Sequence, residues 1–369
     1  MSEELRCIGC GSILQDQDPK KSGYLPTSAL KKALTSDDNE VYCQRCFRLR
    51  HYNEIMPVEE NNDDFLALLN SISQKKALVV NVVDLFDFSN SLISSIKRFI
   101  GGNEYILVGN KVDLFPKNSK ESKIKDWMRQ EANRNGLKPE KIFLVSAAKK
   151  KNLADLMAFL AKKGEKKDIY FVGTTNVGKS TLINAIINMN SDLKDVITTS
   201  KFPGTTLDEI KIPLSNGHYL IDTPGILNAN QLASHLSGKE LEVVEPKKPL
   251  KPATYQLLPG QTIFLAGLGR FDYVDGPSSG FTIYVARDLY VHRTKTENAD
   301  TFYEKHKDDL LLPPSKDDCL GPLKGQTFSP KEKSDILFGG VGFITTPANV
   351  VVKAYTPEGI GLGIRRALI

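Results

Sequence analysis

The chain lacks any apolar run that approaches the roughly 20 residues needed to cross a bilayer. Its start, Met1–Cys7, also lacks the apolar core of a secretory signal. The 369 residues are 40% hydrophobic and 25% charged, an ordinary soluble composition whose length is typical of two or three domains. We therefore expect a cytoplasmic protein with no membrane partner.

A strong excess of one charge is also missing. The 49 basic and 44 acidic residues leave a net charge of +5, and both signs are spread along the whole chain. Charge alone therefore gives only weak support for a nucleic-acid partner, and any such partner has to be argued from individual residues.

Cysteine is scarce, but four of the five form two close pairs, Cys7 with Cys10 and Cys43 with Cys46. Disulfides are unlikely in a cytoplasmic chain, whereas two such knuckles can place four thiolates tetrahedrally around one Zn²⁺. Zinc would also let a short segment with few large apolar residues fold. The alternative is two unrelated redox or core pairs, because the spacing between the pairs exceeds that of usual zinc ribbons. Cys319 stands alone and is predicted to be a small apolar core residue.

Basic and aromatic residues alternate beside the second cysteine pair. This mixture suits phosphate contact and base stacking in RNA, and a solvated basic face explains it about as well. The residues are Arg45, Arg48, Arg50 and His51, with Phe47 and Tyr52 between them.

The middle of the chain alternates short apolar runs with helical patterns. Such runs predict fully buried strands, and the alternation predicts a parallel sheet with helices on both faces. Ligands of this fold class bind at the carboxyl ends of the strands. The predicted strands are 77–83, 105–108, 141–145 and 169–172, the helices lie around 90–100, 120–135 and 152–163, and a hairpin about 215–217 joins strands 207–212 and 219–221.

Residues 173–180, Gly-Thr-Thr-Asn-Val-Gly-Lys-Ser, form a phosphate-loop motif between a predicted strand and a predicted helix. Gly173 and Gly178 let backbone amides wrap the β-phosphate, and the helix adds its positive N-terminal end. Lys179 is predicted to bridge the β- and γ-phosphates, Ser180 to ligate Mg²⁺, and Asp222 to hold the ion through water. The other residues predicted to line the nucleotide here are Thr174, Thr175, Asn176, Val177 and Thr181.

Two further motifs predict which base is bound. Asp113 can accept hydrogen bonds from the ring N–H and the exocyclic amine of guanine, groups that adenine does not present. Asn110 and the Lys111 stem would frame the base, and the Ala147 amide would meet the guanine oxygen. The motifs are 110–113, Asn-Lys-Val-Asp, and 146–149, Ser-Ala-Ala-Lys, which begins with Ser146.

These motifs stand in an unusual order, because the base-reading pair precedes the phosphate loop. A pocket is defined by what converges in space, so such a site can survive the rearrangement. The segment 222–225, Asp-Thr-Pro-Gly, supplies Gly225 to the predicted catalytic set. The chain after it is expected to move with the γ-phosphate, and it runs directly into the last third of the protein.

The permuted order, with cysteine pairs before it and a long segment after it, resembles the YqeH family of circularly permuted GTPases. The resemblance implies an α/β fold with a permuted Ras-like P-loop domain at 58–235, a zinc-binding segment at 1–57 and a β-rich domain at 236–369 that binds RNA or protein. It also implies hydrolysis of GTP to GDP during assembly of the small (30S) ribosomal subunit, with the nucleotide state controlling binding to rRNA. Within the implied first switch, 203–206, Thr206 would contact Mg²⁺ and the γ-phosphate, or Thr205 in its place.

Ile226 follows Gly225, where Ras-like enzymes place the glutamine that orients water. An aliphatic side chain cannot position that nucleophile, so we expect slow turnover that depends on another element. Asn176 resembles the ligand of a bound K⁺ in related GTPases, an ion that neutralises transition-state charge; the alternative is that Asn176 only braces the loop. A ribosomal or protein activator is the other candidate.

The last third of the chain carries the weakest patterns. Residues 246–252 predict a stiff basic linker. Strands are predicted at 261–270, 281–286 and 349–355, and a helix at 296–310. A cluster of side chains suits structured RNA, and a solvated strand edge guarded by charge explains it almost as well. The cluster is Arg287, Tyr290, His292, Arg293 and Lys295.

A second functional class remains open at this stage. The same motifs would serve a regulatory or signalling GTPase whose flanking domains bind proteins, with hydrolysis acting only as a timer.

Overall fold

The computed structural model describes residues 5–8, 10, 12–35, 41–52, 59–60, 62–117, 119–190, 210–214, 217–226, 232, 235–236, 238–316, 318 and 320–369. The chain divides into two compact units, one formed by residues 1–112 and 125–227 and the other by 113–124 and 228–369. The predicted switch 203–206 and Cys319 lie outside the described residues. Among the described residues, no helix combines the length and apolarity that a membrane span requires.

Between residues 59 and 189 the described elements alternate between strand and helix, as predicted for the middle of the chain, apart from two consecutive short helices. The helices are α1 (Thr27–Thr35), α2 (Gln44–Tyr52), α3 (Asn62–Ser73), α4 (Phe88–Ser91), α5 (Ile96–Phe99), α6 (Glu121–Arg134), α7 (Leu153–Gly164) and α8 (Lys179–Met189). The strands are β1 (Glu59–Glu60), β2 (Ala77–Asp84), β3 (Glu104–Asn110), β4 (Ile142–Leu144), β5 (Asp168–Val172), β6 (Ile210–Pro213), β7 (Tyr219–Asp222) and β8 (Gly225–Ile226).

A six-stranded sheet with the order β4-β3-β2-β5-β7-β6 forms the centre of the first unit. All neighbours are parallel except β6 and β7, which form the predicted antiparallel hairpin. Every residue of β2 is buried, because a central parallel strand is covered on both faces. The predicted α/β class and permuted sheet are therefore confirmed, and the carboxyl ends of β3, β5 and β7 carry the predicted motifs.

The helix predicted around 90–100 is two short helices, α4 and α5, instead of one. The Ser91 hydroxyl accepts a hydrogen bond from the Asp84 amide at 3.0 Å and donates to the Asp87 carbonyl at 2.9 Å. Such local side-chain bonds compete with continuation of a helix. Leu92 then adopts an extended backbone with ψ 118°, which ends α4.

The second unit is rich in strands, as the resemblance implied. It contains the helices α9 (Gly238–Val244) and α10 (Thr296–His306). Its strands are β9 (Ala253–Leu257), β10 (Gln261–Leu265), β11 (Gly269–Asp275), β12 (Ser279–Val285), β13 (Val291–Lys295), β14 (Leu323–Phe328), β15 (Ser334–Phe338), β16 (Gly342–Thr346), β17 (Val351–Pro357) and β18 (Leu362–Arg366).

These ten strands form two sheets that are duplicates of each other. The strand orders are β13-β10-β11-β17-β14 and β18-β15-β16-β12-β9. Strands β9–β13 form one repeat and strands β14–β18 form the other. If each strand is replaced by its equivalent in the other repeat, the first order becomes the second. The sequence keeps a trace of this, since 263–269 is Ile-Phe-Leu-Ala-Gly-Leu-Gly and 336–342 is Ile-Leu-Phe-Gly-Gly-Val-Gly. Each repeat places two strands in the sheet of the other, so neither repeat can complete a sheet alone.

Two predictions about this unit need correction. The strand predicted at 261–270 is the hairpin of β10 and β11, because the chain turns at Ala266, whose φ is +47°. The helix predicted to Leu310 ends at His306. Within the predicted linker the lysines are exposed, whereas Leu250 is 4% exposed and its amide donates to the Leu114 carbonyl at 2.7 Å.

Each repeat buries one carboxylate between a threonine and an arginine. Asp272 accepts from the Thr262 hydroxyl at 2.7 Å and from Arg270 Nε at 2.8 Å. In the other repeat, Asp335 accepts from the Thr345 hydroxyl at 2.6 Å and from Arg365 Nε at 3.3 Å. Both carboxylates are under 5% exposed, so each arginine offsets a buried charge that would otherwise be costly.

Removal of the Asp335 carboxylate tests this buried pair. Asp335→Ala takes the carboxylate from a buried guanidinium, and breaking a buried pair in this way costs about 3–5 kcal/mol. We expect native-state hydrogen exchange to show a loss of that size in the opening free energy of the β15 and β16 amides. The control is Glu332→Ala, which removes an exposed carboxylate 3.8 Å from Arg366 and should cost under about 1 kcal/mol. Equal losses in the two variants would contradict the assignment.

Candidate functional site

The phosphate-loop motif lies between β5 and α8, where the sequence places it. Gly178 precedes the first residue of α8 and has a φ of +80°, and Asn176 has a φ of +62°. A Cβ on Gly173 would stand 2.7 Å from the Val82 carbonyl oxygen, so a side chain there cannot fit. The loop backbone at the N-terminus of α8 can therefore approach an anion closely.

The Asn110 side chain joins the base-reading motifs to the phosphate loop. Its Nδ2 donates to the Val177 carbonyl at 2.9 Å, and its Oδ1 accepts from the Ala147 amide at 3.0 Å. A Cβ on Gly178 would lie 2.4 Å from the same Nδ2, which explains why glycine is required there. The three motifs, dispersed along the chain, thus meet at one buried carboxamide. The Ala147 amide, predicted to meet the guanine oxygen, donates here to Asn110.

Lys111 is held by a carboxylate that the sequence analysis did not single out. Its backbone is left-handed with φ +67°, and its Nζ lies 2.7 Å from Asp84 Oδ2. The other oxygen of Asp84 accepts from the Phe86 amide at 2.8 Å. Asp84 ends the buried strand β2, and a carboxylate at the carboxyl end of such a strand was the available signal.

The loops around Asp113 and Ser146 are braced by short hydrogen bonds. Asp113 lies half-buried in a 3₁₀ turn, Val112–Leu114, that begins with a bond from the Val112 amide to the Val145 carbonyl at 3.1 Å. The buried Ser146 hydroxyl accepts from the Lys149 amide at 3.0 Å. These bonds hold the two loops at neighbouring strand ends.

Lys179 and Arg45 share the carboxylate of Asp222. Lys179 Nζ donates to Asp222 Oδ1 and to the Thr223 carbonyl. Arg45 Nη2 donates to Asp222 Oδ2 at 2.8 Å. All three side chains are under 10% exposed, so the cluster is closed to solvent. Ser180 is buried beside Lys179 in α8, whereas Thr181 is exposed.

Burial and pairing act in opposite directions on the two cations. Burial lowers the pKa of Lys179 and outweighs the attraction of Asp222. Burial also opposes the charge on Arg45, but the Asp222 carboxylate and the sulfurs of Cys46 and Cys10 together outweigh it, and the pKa of Arg45 is raised. Arg45 therefore stays protonated and positively charged beside Asp222.

The segment after Asp222 is hydrogen-bonded to the start of the phosphate loop. The Thr175 amide donates to the Ile226 carbonyl at 2.9 Å, and the Ile226 amide donates to the Gly173 carbonyl at 3.1 Å. A Cβ on Gly225 would come within 3.2 Å of Thr175 Cγ2. The backbone of 225–226 is therefore hydrogen-bonded to the loop and packed against it, and Thr205 and Thr206 lie outside the described residues.

The four cysteines of the two predicted pairs are buried together. The sulfur atoms of Cys7, Cys10, Cys43 and Cys46 all lie within 4.8 Å of one another. A tetrahedral zinc with Zn–S bonds of about 2.3 Å requires sulfurs roughly 3.8 Å apart, and Cys10 Sγ and Cys43 Sγ are 3.7 Å apart. Hydrogen bonds from Cys10 and the other thiols hold the pKa of Cys7 well below its usual value, whereas hydrogen bonds with Cys10 raise the pKa of Cys43 and of Cys46, so a thiolate is favoured at Cys7. The donor set and spacing fit one Zn²⁺.

The basic and aromatic residues beside the second cysteine pair differ in exposure. Arg45 is 5% exposed, so it belongs neither to a solvated face nor to a stacking surface. Phe47 and Tyr52 are 44% and 66% exposed, and the Phe47 ring centroid lies 4.3 Å from that of His51. This leaves an exposed aromatic cluster on α2.

The cluster predicted in the second unit is partly occupied by internal contacts. Arg287 Nε donates to the Pro249 carbonyl at 2.6 Å, and the His292 ring stacks on Phe302 with centroids 4.2 Å apart. Tyr290, Arg293 and Lys295 are exposed.

Comparison with known proteins adds independent findings. Residues 278–368 match the family described as YqeH-like, C-terminal, and residues 168–250 match the family described as 50S ribosome-binding GTPase. NO-associated protein 1, chloroplastic/mitochondrial, of Arabidopsis thaliana is 29% identical over 92% of this chain and 69% of its own. GNP-bound YlqF from T. maritima shares 22% identity over 49% of this chain and 65% of its own, with a TM-score of 0.30.

One relative matches along the full length of both chains. The protein YqeH of Bacillus subtilis (strain 168), described as uncharacterized, is 47% identical over 371 residues, which is 100% of each chain. Together with the permuted sheet and the convergence of the nucleotide motifs on Asn110, this similarity shows that the chain belongs to the YqeH family of circularly permuted GTPases.

Proposed function

We propose that the protein hydrolyses GTP during assembly of the small ribosomal subunit and that its nucleotide state controls its binding to rRNA. The observation that carries the GTPase part is the convergence on Asn110 of the motifs for the base and the phosphates. The family matched at 168–250 is described as binding the 50S ribosome, which supports a ribosomal partner but names the large subunit. The choice of the small subunit rests on the resemblance. We also propose a cytoplasmic location, which the similarity to a bacterial relative supports.

The proposed roles follow the sequence motifs. Asp113 reads guanine, Asn110 and Lys111 frame the base beside Ser146 and Ala147, and the loop from Gly173 to Thr181 holds the phosphates. Lys179 bridges the β- and γ-phosphates, and Gly225 positions the segment that follows the γ-phosphate. Mg²⁺, when bound, would neutralise charge on the phosphates. Ser180, Asp222 and Thr206 are the residues proposed to hold it.

Sedimentation with ribosomal subunits tests the functional proposal. The full chain is mixed with purified 30S and 50S subunits in the presence of GDP or a non-hydrolysable GTP analogue and separated on gradients. We expect association with 30S subunits that differs at least severalfold between the nucleotides. Lys179→Met, which removes the proposed phosphate contact, is the control and should abolish the difference. Binding to 50S subunits, or to neither subunit, would overturn the proposal and favour a regulatory GTPase with protein partners.

We infer that turnover is slow and stimulated by K⁺. Ile226 has no side-chain amide that could orient water, and its backbone amide and carbonyl are hydrogen-bonded to the phosphate loop. Asn176 is exposed on the loop with its amide available to a cation. Its left-handed backbone also supports the alternative, because asparagine tolerates that conformation better than most residues.

Replacement of Asn176 separates these two roles. Asn176→Gly removes the amide but keeps access to the left-handed backbone. If the amide ligates K⁺, GTPase activity should be higher in K⁺ than in Na⁺ at equal ionic strength, and Asn176→Gly should remove that difference with little change in GTP affinity. Asn152→Gly, also at a left-handed position with φ +57°, is the matched control. Equal rates of the native chain in the two salts would return Asn176 to a bracing role.

The zinc assignment is tested by metal analysis. Chain purified without chelator should contain about one zinc ion, as a four-thiolate site holds. Cys43→Ser should lower that content and loosen the N-terminal segment while GTP binding persists. Cys319→Ser is the control and should keep the metal. A native chain without zinc would leave the four thiols as a core cluster.

A further inference from the structure

Arg45 connects the cysteine cluster to the nucleotide site. It lies in α2 between Cys43 and Cys46, two of the four sulfur ligands that fit zinc. Its Nη2 reaches Asp222 Oδ2 at 2.8 Å, although the two residues are 177 positions apart in the chain. Leu49, one turn further along α2, is 1% exposed in the same core cluster as Leu182 of α8. The helix is therefore packed against the nucleotide-binding unit by both a charged and an apolar contact.

A second contact reaches the same stretch of chain from β1, which follows the zinc-binding segment 1–57. Strand β1 pairs in parallel with β8, with Glu59 opposite Gly225 and Glu60 opposite Ile226. One contact from α2 and one from β1 thus fall within residues 222–226. This stretch also holds the proposed magnesium carboxylate and the backbone that hydrogen-bonds to the phosphate loop.

The charges around Asp222 determine how the contact from Arg45 affects the nucleotide site. One carboxylate serves two buried cations, since Oδ1 accepts from Lys179 and Oδ2 from Arg45. Phosphates can draw Lys179 away, because lysine at this loop position binds them as a point charge. Arg45 lies outside the phosphate-loop motif, so phosphates do not draw it away. Its charge stays beside the Asp222 carboxylate and opposes the binding of a further cation there.

We propose that Arg45 is a positioning residue of the nucleotide site that holds Asp222 in competition with Mg²⁺, so that binding of Mg²⁺ with nucleotide loosens the hold of α2 on the site. The inference rests on the proposed GTP-binding function. Coupling of this kind is reciprocal: whatever weakens the Arg45–Asp222 pair strengthens Mg²⁺ binding, and bound Mg²⁺ weakens the pair. The cysteine cluster would then respond to the nucleotide state through α2, which carries Cys46 and directly follows Cys43.

The Mg²⁺ dependence of nucleotide binding tests the inference directly. Dissociation of fluorescent methylanthraniloyl-GDP is measured against free Mg²⁺ for the full chain, Arg45→Gln and Arg48→Gln. Removing a unit charge so close to a divalent ion should lower the Mg²⁺ midpoint about tenfold or more in Arg45→Gln. Arg48→Gln, the same charge change three residues along α2, should keep the native midpoint. Zinc content is measured in all three proteins.

Each outcome bears on a different claim. A native chain that does not bind the nucleotide would overturn the proposed function and this inference with it. An unchanged midpoint in Arg45→Gln would overturn the inference alone. A slower GTPase rate with an unchanged midpoint would also overturn it and would make Arg45 a source of transition-state charge instead.

A measurement on the native chain keeps the test sound if Arg45→Gln fails to fold. Hydrogen exchange of the α2 amides, Gln44–Tyr52, is compared with that of α8 in GDP with and without Mg²⁺. We expect Mg²⁺ to raise exchange in α2 severalfold while α8 is unchanged or better protected. Equal or greater protection of α2 in Mg²⁺ would contradict the competition.

Discussion

The carboxamide of Asn110 holds together three loops that are far apart in the chain. It donates to Val177, 67 residues away, and accepts from Ala147, 37 residues away. One end of the group must donate and the other must accept, so neither an aspartate nor an aliphatic side chain can replace it. Its length and direction fix the distance between the loop that would bind phosphates and the loops that would bind the base.

This dependence on side-chain geometry explains why the order of the motifs along the chain is free to change. The sheet order β4-β3-β2-β5-β7-β6 places the strand ends next to one another whichever strand comes first. The chain must then pass from β4 at one edge to β5 in the interior of the sheet. Helix α7 makes that passage and buries Leu153, Leu156 and Leu160 in the core, so the connection is part of the folded unit. The permuted join is stabilised by ordinary hydrophobic packing.

Some of this architecture could be read from the sequence because its causes are local. Buried parallel strands produce apolar runs, and loops that wrap phosphate require glycine, so β2, β5 and the motif at 173–180 were all predictable. The hairpin at 261–275 was missed because the apolar run continues through its turn. Ala266 adopts a left-handed backbone there, a conformation that alanine does not signal in a sequence. The burial of Arg45 could not be predicted, since an arginine between two cysteines looks the same whether it faces solvent or a carboxylate 177 residues away. Long-range charge pairing leaves no local pattern.

In the duplicated second unit, too, the geometry of a contact is kept while the positions of its residues in the chain differ. In β10 and β11, Thr262 faces Asp272, whereas in the equivalent strands β15 and β16, Asp335 faces Thr345. The two residue types have exchanged strands, and the arginine comes from β11 in one repeat and from β18 in the other. What both repeats keep is a buried carboxylate that accepts from a hydroxyl across the ladder and from a guanidinium. A buried charge needs partners at the right distance, and the strand that supplies each partner is free to vary.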